Sequence, residues 1–273
     1  MMQYEELIID KVIQESPTTV SLVFRFTLTA IPGNFIMLTD FESGEKPFSI
    51  SYLDDEKFLV TVKKIGSFTN KIGSKKPGVK LYCRGPYGNI FTFPAEKKND
   101  KNRLLVIGGG CGIAPLRFLA YELAKYSFNK ITFILGGRTK EELLFREEIE
   151  SLGVRVHYAT DDGSFGFAGN VVGLIKSGID LSEYDYYYAA GPELMMKACF
   201  DLLKDKPCEG EYLLERYMKC GIGICGQCTI DPVGIRMCIE GPIVKEDKLA
   251  QLTEFGSYTR DAYGKRVPFI ECK

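Results

Sequence analysis

Four cysteines, Cys220, Cys225, Cys228 and Cys238, fall within nineteen residues in a C-x4-C-x2-C-x9-C pattern. Four thiolates are the ligand set of a 2Fe–2S cluster, two to each iron, and the first three cysteines follow the plant-type ferredoxin spacing. Gly221, Gly223 and Gly226 stand between them. Without a Cβ they let backbone N–H groups approach the cluster sulfurs and let the loop adopt left-handed dihedrals. The same four sulfurs are also a ligand set for one zinc ion. Zinc sites usually pair one C-x2-C with a second, however, and the second is missing.

A second constellation is Gly108-Gly109-Gly110-Cys111-Gly112-Ile113-Ala114-Pro115, directly after the apolar run RLLVIGGG. Glycines between a strand and a helix bring N–H groups and the positive helix end up to a diphosphate. Ile113 stands where G-x-G-x-x-G needs its third glycine. The acid expected after the next strand is missing too, because ITFIL runs into Gly136-Gly137-Arg138. The turn is therefore not the common dehydrogenase fingerprint; it either receives a nucleotide or serves tight packing.

Lys46-Pro47-Phe48-Ser49 places a cation and a hydroxyl beside a proline-fixed backbone. That suits a phosphate and a flavin edge, or equally a plain strand start. Arg84-Gly85-Pro86-Tyr87-Gly88 reads first as a turn, and so does Asp161-Asp162-Gly163, although the latter follows a strand where ligands bind. His157 is the single histidine, which excludes catalysis through several histidines and a three-His zinc site. It reads as a partly buried structural residue. Tyr186, Tyr187 and Tyr188 read as strand packing, and Cys83, Cys199, Cys208 and Cys272 as packing or surface thiols.

The elements that must carry these residues come in three segments. Stretches 7–14, 19–28, 34–40, 47–53, 57–64 and 79–84 are short, rich in β-branched and aromatic residues, and divided by turn signals such as Pro32-Gly33 and Pro77-Gly78. They predict a six-stranded antiparallel barrel. The lysine-rich stretch 95–103 reads as a linker. Strands at 103–110, 131–135, 154–160 and 184–190 then alternate with helices near 114–125, 140–151, 169–177 and 192–204, predicting a parallel α/β layer. From 209, glycine, cysteine and proline replace periodicity, and a metal centre would staple so small a segment. The expected domains are 1–96, 97–208 and 209–273.

Length and composition agree with this division. At about 150 residues per domain, 273 residues make roughly two domains, or three small ones. Lys+Arg 35 against Asp+Glu 36 leaves a formal charge of -1, which leaves no electrostatic footprint for nucleic acid or an anionic membrane. No apolar run approaches the ~18 residues of a spanning helix. The start, MMQYEELIID, is acidic and lacks the features of an export signal. The expectation is a soluble cytoplasmic protein without nucleic-acid or membrane partners, in which disulfides give way to metal.

Taken in order, these pieces resemble the ferredoxin-reductase-like flavoproteins and, more narrowly, the electron-transfer subunits of dihydroorotate dehydrogenase B, over nearly the whole chain. The family's Arg-Pro-x-Ser flavin motif is matched by Lys46-Pro47-Phe48-Ser49. Its following strand and Gly-x-Gly-Thr turn are matched by Thr61-Val62-Lys63 and Gly66-Ser67-Phe68-Thr69. Its pyridine-nucleotide turn corresponds to 108–115, with further matches at 136–143, 160–164 and 190–193. The cysteine loop 220–238 is the most specific match, flanked by Glu215-Arg216-Tyr217-Met218 and Glu240-Gly241-Pro242.

The resemblance implies FAD on Lys46, Pro47, Phe48, Ser49, Thr61, Val62, Lys63, Phe68 and Thr69. It implies NAD, as exchanging substrate, on Gly108, Gly109, Gly110 and Gly112, and a 2Fe–2S cluster on the four cysteines. It implies a catalytic FMN-containing dihydroorotate dehydrogenase subunit as partner, two of each in a heterotetramer, serving UMP synthesis. This chain would not oxidise dihydroorotate alone. Lys46 replaces the family's arginine, keeping charge but losing the two-point fork, which implies weaker FAD binding. Ala190 replaces a cysteine usually near the nicotinamide, which bears on hydride exchange. Arg138 suits a 2′-phosphate, whereas related subunits use NAD. The same modules also make an NAD(P)H:ferredoxin-type reductase subunit of another redox complex. A zinc-stapled nucleotide-binding protein without redox activity is the alternative of another class, and it would be colourless.

Overall fold

The computed structural model describes residues 3–93, 103–126 and 130–269. The expected linker, apart from Arg103, and Cys272 lie outside them.

Six strands close a barrel: β1 (Glu5–Ser16), β2 (Thr19–Phe24), β3 (Phe35–Asp40), β4 (Gly44–Leu53), β5 (Phe58–Lys63) and, after helix α1 (Ser67–Gly73), β6 (Lys80–Tyr87). Their order is β1-β2-β5-β4-β3-β6, and β6 returns to pair with β1 at Leu7↔Leu81. Alternate residues fill the interior, among them Leu22, Phe24, Ile36, Leu38, Val60 and Val62. This is the inward/outward period of two that the sequence carries. Strand β2 stops at Phe24, four residues short of expectation. Phe26 and Leu28 instead pack irregularly against the barrel end.

The second layer is a seven-stranded sheet in the order β10-β9-β8-β7-β11-β12-β15. Its chain order runs β7 (Arg103–Gly109), α2 (Ile113–Ala124), β8 (Lys130–Gly137), α3 (Arg146–Ser151), β9 (Arg155–Thr160), β10 (Phe167–Ala168), α4 (Val171–Gly178), β11 (Tyr186–Ala190), α5 (Glu193–Leu203) and β12 (Glu209–Leu213). All pairings are parallel except the last, where β15 (Ile243–Lys245) runs antiparallel to β12. The segment from 209, expected to stand apart, thus contributes two strands to the central sheet, and its cysteine loop hangs between them. The rest of it is short: hairpin β13 (Thr229–Ile230) with β14 (Ile235–Arg236), helix α6 (Glu246–Leu249), and hairpin β16 (Tyr258–Arg260) with β17 (Arg266–Pro268).

The helix expected near 140–151 is broken. A single 3-10 turn covers Lys140–Glu142, and α3 begins only at Arg146. Leu143, Leu144 and Phe145 lie between and are all buried. Three successive apolar side chains cannot share one helical face, so the chain leaves the helix to bury them.

Helix α2 joins the two layers. Ile113, Leu116, Leu119 and Leu123 face the sheet core, while Phe118 enters the barrel core. Beside Phe118, buried Arg117 pairs with Glu148 at 2.7 Å and lies over the rings of Tyr52 and Phe145. Barrel and sheet are thereby held against one another. Among the described residues no helix is long and apolar enough to cross a membrane.

Candidate functional site

Two clefts open where barrel, sheet and cysteine segment meet. The first is walled by Pro47, Phe48, Ser49, Thr61, Lys63 and Thr69 from the barrel, by Cys111, Ala114 and Pro115 at the start of α2, and by Leu213–Arg216, Met218 and Pro242. The second is walled by Gly109–Gly112, by Gly191, Pro192 and Glu193, and by Glu215–Tyr217. Lys63, Ile65, Cys111, Glu215 and Arg216 line both. The clefts are therefore two arms of one site.

The expected flavin residues divide between those that face the cleft and those that turn away from it. Pro47 and Ser49 lie opposite Met37 and Phe35, respectively, on β3, and Pro47, Phe48 and Ser49 reach the cleft. Thr61 reaches it too, with its hydroxyl bonded to Ser51 and Ser21 at 2.9 Å. Val62 points into the barrel and is fully buried, and Phe68 stacks beneath Phe48 in the same core. The stretch 66–69, matched to a turn, opens α1. There the Thr69 hydroxyl accepts the N–H groups of Gly66 and Ile65 at 3.0 and 3.1 Å. Lys46 does not line the cleft: its ammonium donates to the Tyr217 hydroxyl at 2.7 Å.

The glycine turn also divides. A Cβ on Gly108 would sit 3.0–3.1 Å from Ile113, Leu116 and Leu135, so this glycine serves packing. A Cβ on Gly112 would lie 2.3 Å from the Gly191 nitrogen and 2.5 Å from the Ala190 carbonyl carbon. That close approach lets α2 start against the end of β11. Ala190 itself is fully buried and lines neither cleft. Gly109, Gly110 and Gly112 face the second cleft at the start of α2.

Cys111 stands in the glycine turn and Glu215-Arg216 beside the cysteine loop, but no local signal marks these three as lining both clefts. Arg216 is buried between two acids, paired by both terminal nitrogens with Glu193 and by Nε with Glu254 at 2.9 Å. This pins the strand exit that bears Glu215. Glu215 stays accessible within the cleft, yet the protein crowded around it, and then the charge of Glu193, raise its carboxyl above the usual range. Burial pushes the Cys111 thiol up to about 12, so it is neutral near pH 7.

Gly221, Gly223 and Gly226 adopt φ of +72°, +77° and +69°, the left-handed backbone anticipated for a loop wrapped round a cluster. The Cys220 thiol interacts with that of Cys225, and the Cys238 thiol with those of Cys228 and Cys220, so the four sulfurs face one another. Among the described residues no three His, Cys, Asp or Glu side chains gather round a single ion. Four thiolates on one loop, enough for two per iron, are what a two-iron cluster requires, so the donor set fits that group. The Gly223 N–H points to Cys238 Sγ at 3.1 Å. Burial pushes the Cys220 thiol up, but the N–H groups of Cys225, Ile222 and Ile224 and the Cys225 thiol outweigh it, to about 6. Burial and Cys228 push Cys238 up to about 12; metal binding would displace that proton. The barrel supports the loop directly, since Arg84, salt-bridged to Glu45, donates to the Cys220 carbonyl at 3.1 Å.

Comparisons with known proteins agree with this layout. Residues 215–250 match the model for the iron–sulfur cluster binding domain of dihydroorotate dehydrogenase B, and 106–201 match the oxidoreductase NAD-binding domain. A probable dihydroorotate dehydrogenase B (NAD+) electron transfer subunit of Methanocaldococcus jannaschii is 40% identical over 259 residues, covering 95% of this chain and 96% of its own. The similarly named protein of Methanothermobacter thermautotrophicus is 36% identical over 270 residues, 97% of each. Among solved structures, a chain of the NADH-dependent reduced ferredoxin–NADP oxidoreductase superimposes with a TM-score of 0.79. It is 27% identical, over 91% of this chain and 93% of that one.

Proposed function

The chain belongs to the family of electron-transfer subunits of dihydroorotate dehydrogenase B, and from that premise we propose how its own residues carry electrons between a catalytic partner subunit and NAD. It is an oxidoreductase subunit that works with FAD, a 2Fe–2S cluster and NAD. The flavin, when bound, converts between two-electron hydride exchange with a nicotinamide and single-electron exchange with an iron–sulfur centre.

In this reading Pro47, Phe48, Ser49, Thr61 and Lys63 hold the flavin against the barrel, and Thr69 orders the turn beside it. Val62 and Phe68 act from beneath by shaping that wall, and Lys46 acts through Tyr217. Gly109, Gly110 and Gly112 receive the pyridine nucleotide at the start of α2, with Gly108 allowing the turn to pack. Cys220 with Cys225 and Cys228 with Cys238 each ligate one iron. Glu215 borders both arms of the site, where its raised carboxyl can hold a proton. Residues 1–96, 97–208 and 209–273 are the flavin, nucleotide and cluster segments. The partner carries FMN, oxidises dihydroorotate to orotate, and pairs two-to-two with this chain in the cytoplasm.

The observation that carries the proposal is the shared wall of the two clefts. A group bound in one arm would lie next to a group bound in the other, as hydride exchange requires. The test is to purify the complex from iron- and riboflavin-replete cells. Flavin and iron should both be present, and each Cys→Ser change at 220, 225, 228 or 238 should abolish the paramagnetic signal of the reduced cluster. A colourless complex, or a signal indifferent to all four changes, refutes it.

A second reading, a reductase subunit of another redox complex, draws on the likeness to the NADH-dependent ferredoxin–NADP oxidoreductase chain. Copurification separates the two. An FMN protein that reduces NAD with dihydroorotate supports the first, and an iron–sulfur-rich partner the second.

A further inference from the structure

We propose that Glu142 makes the nucleotide site selective for a coenzyme with a plain 2′-hydroxyl, by occupying the guanidinium of Arg138. This rests on the reading of the glycine turn as the NAD site. In open α/β sheets the ligand lies over the carboxyl ends of the strands, where the strand order reverses. The adenosine ribose falls at the end of the strand that follows the phosphate turn. Here the order reverses between β7 and β11, and the strand following the turn is β8. Arg138 is the first residue past it.

An acid at that strand end suits a ribose 2′-hydroxyl, whereas an arginine accommodates a 2′-phosphate. Read locally, the sequence therefore favours the phosphorylated coenzyme. The fold reverses that preference. The 3-10 turn Lys140–Glu142 brings the Glu142 carboxylate back onto Arg138, where it accepts from Nε at 3.0 Å and from Nη2 at 2.5 Å. The missing acid is thus supplied four residues late. This two-point pair uses the fork a phosphate would take, and its negative charge opposes a second anion.

The acid is also held in place. Lys63 Nζ lies 4.0 Å from Glu142 Oε2. The Asp161 and Asp162 N–H groups donate to the Gly137 and Arg138 carbonyls at 3.1 and 3.2 Å, and the Lys140 N–H donates to Ser164 Oγ at 2.8 Å. The hydrogen bond from Arg138 keeps the Glu142 carboxyl below the usual range, so the charge persists at neutral pH. Asp161 and Asp162, next past β9, add negative charge on the same side.

The test is calorimetric binding of NAD+ and NADP+ to the intact complex, with flavin content confirming that each variant is folded and loaded. The wild type should prefer NAD+ by about 100-fold or more. Glu142→Gln, with Glu142→Ser as second variant, should raise the NADP+:NAD+ affinity ratio by at least about tenfold, with NADP+ binding tightened. Adding Arg138→Leu to Glu142→Gln should cancel the gain. The inference is overturned if the NADP+:NAD+ ratio does not move, if the gain survives loss of Arg138, or if the wild type binds both equally. A wild type that binds neither nucleotide would overturn the site assignment itself, and this inference with it.

Discussion

The ammonium of Lys46 donates a hydrogen bond to the hydroxyl of Tyr217 at 2.7 Å and lies 3.9 Å from the centre of the same ring. These residues are 171 positions apart. One begins the barrel motif matched to flavin binding, and the other precedes the first cluster cysteine by three residues. The contact ties the flavin wall to the cluster loop.

If that contact couples the two elements, Lys46→Met and Tyr217→Phe will not be additive. A double-mutant cycle by denaturant titration should return a coupling energy of about 1 kcal/mol. Additive losses would mean that the two side chains act independently.

Arg84 is buried with Glu45 at its side and the Cys220 carbonyl at its tip. Burial alone would raise the Glu45 carboxyl, but the bonds from Arg84 and Thr39 outweigh it and hold it below the usual range. Replacing Arg84 by methionine strands that carboxylate, and should cost about 3 kcal/mol of stability. It should also speed iron loss from the cluster, followed as bleaching of the visible absorption in chelator.

Gly223 has φ +77°, and a Cβ there would sit 2.7 Å from Ile239 Cγ1. Gly234 has φ +78° with nothing within 4 Å. Alanine at 234 meets only the left-handed penalty, about 1 kcal/mol, whereas alanine at 223 must also displace Ile239. Iron per chain should fall in Gly223→Ala and hold in Gly234→Ala, with flavin content equal in both.

His157 offers a pH test because it is the single histidine. Burial, and then the charges of Arg155 and Lys130, hold its imidazole below the usual range. The unfolded chain therefore binds the proton first as pH falls through about 6.5. Its contribution to stability is complete above that pH and is lost on descent through the lower, folded value. The midpoint of thermal unfolding between pH 5 and 7.5 should depend less steeply on pH in His157→Gln. An unchanged slope would place the titration elsewhere.

Much of this was legible in the chain. The barrel could be read because alternation and turn residues act within a few positions, and the six strands appear in the predicted order. The cysteine loop could be read because ligand spacing and glycine placement are local requirements of the metal. The break before α3 is not legible in periodicity, which does not say where Leu143, Leu144 and Phe145 are all buried. Lys46 holds the motif's position, and position does not say which way a side chain turns.

By itself, then, the sequence determined the succession of barrel, α/β layer and cysteine loop, since dihedral preference, hydrophobic period and ligand spacing are properties of neighbouring residues. Tertiary structure decided that β12 and β15 complete the central sheet, that Lys46 reaches Tyr217, that Cys111 and Glu215 border both arms of one cleft, and that Glu142 answers Arg138. Those relationships join segments or depend on how a turn folds back. They are set by which surfaces bury one another and which charges are left to pair, and no local pattern encodes that choice.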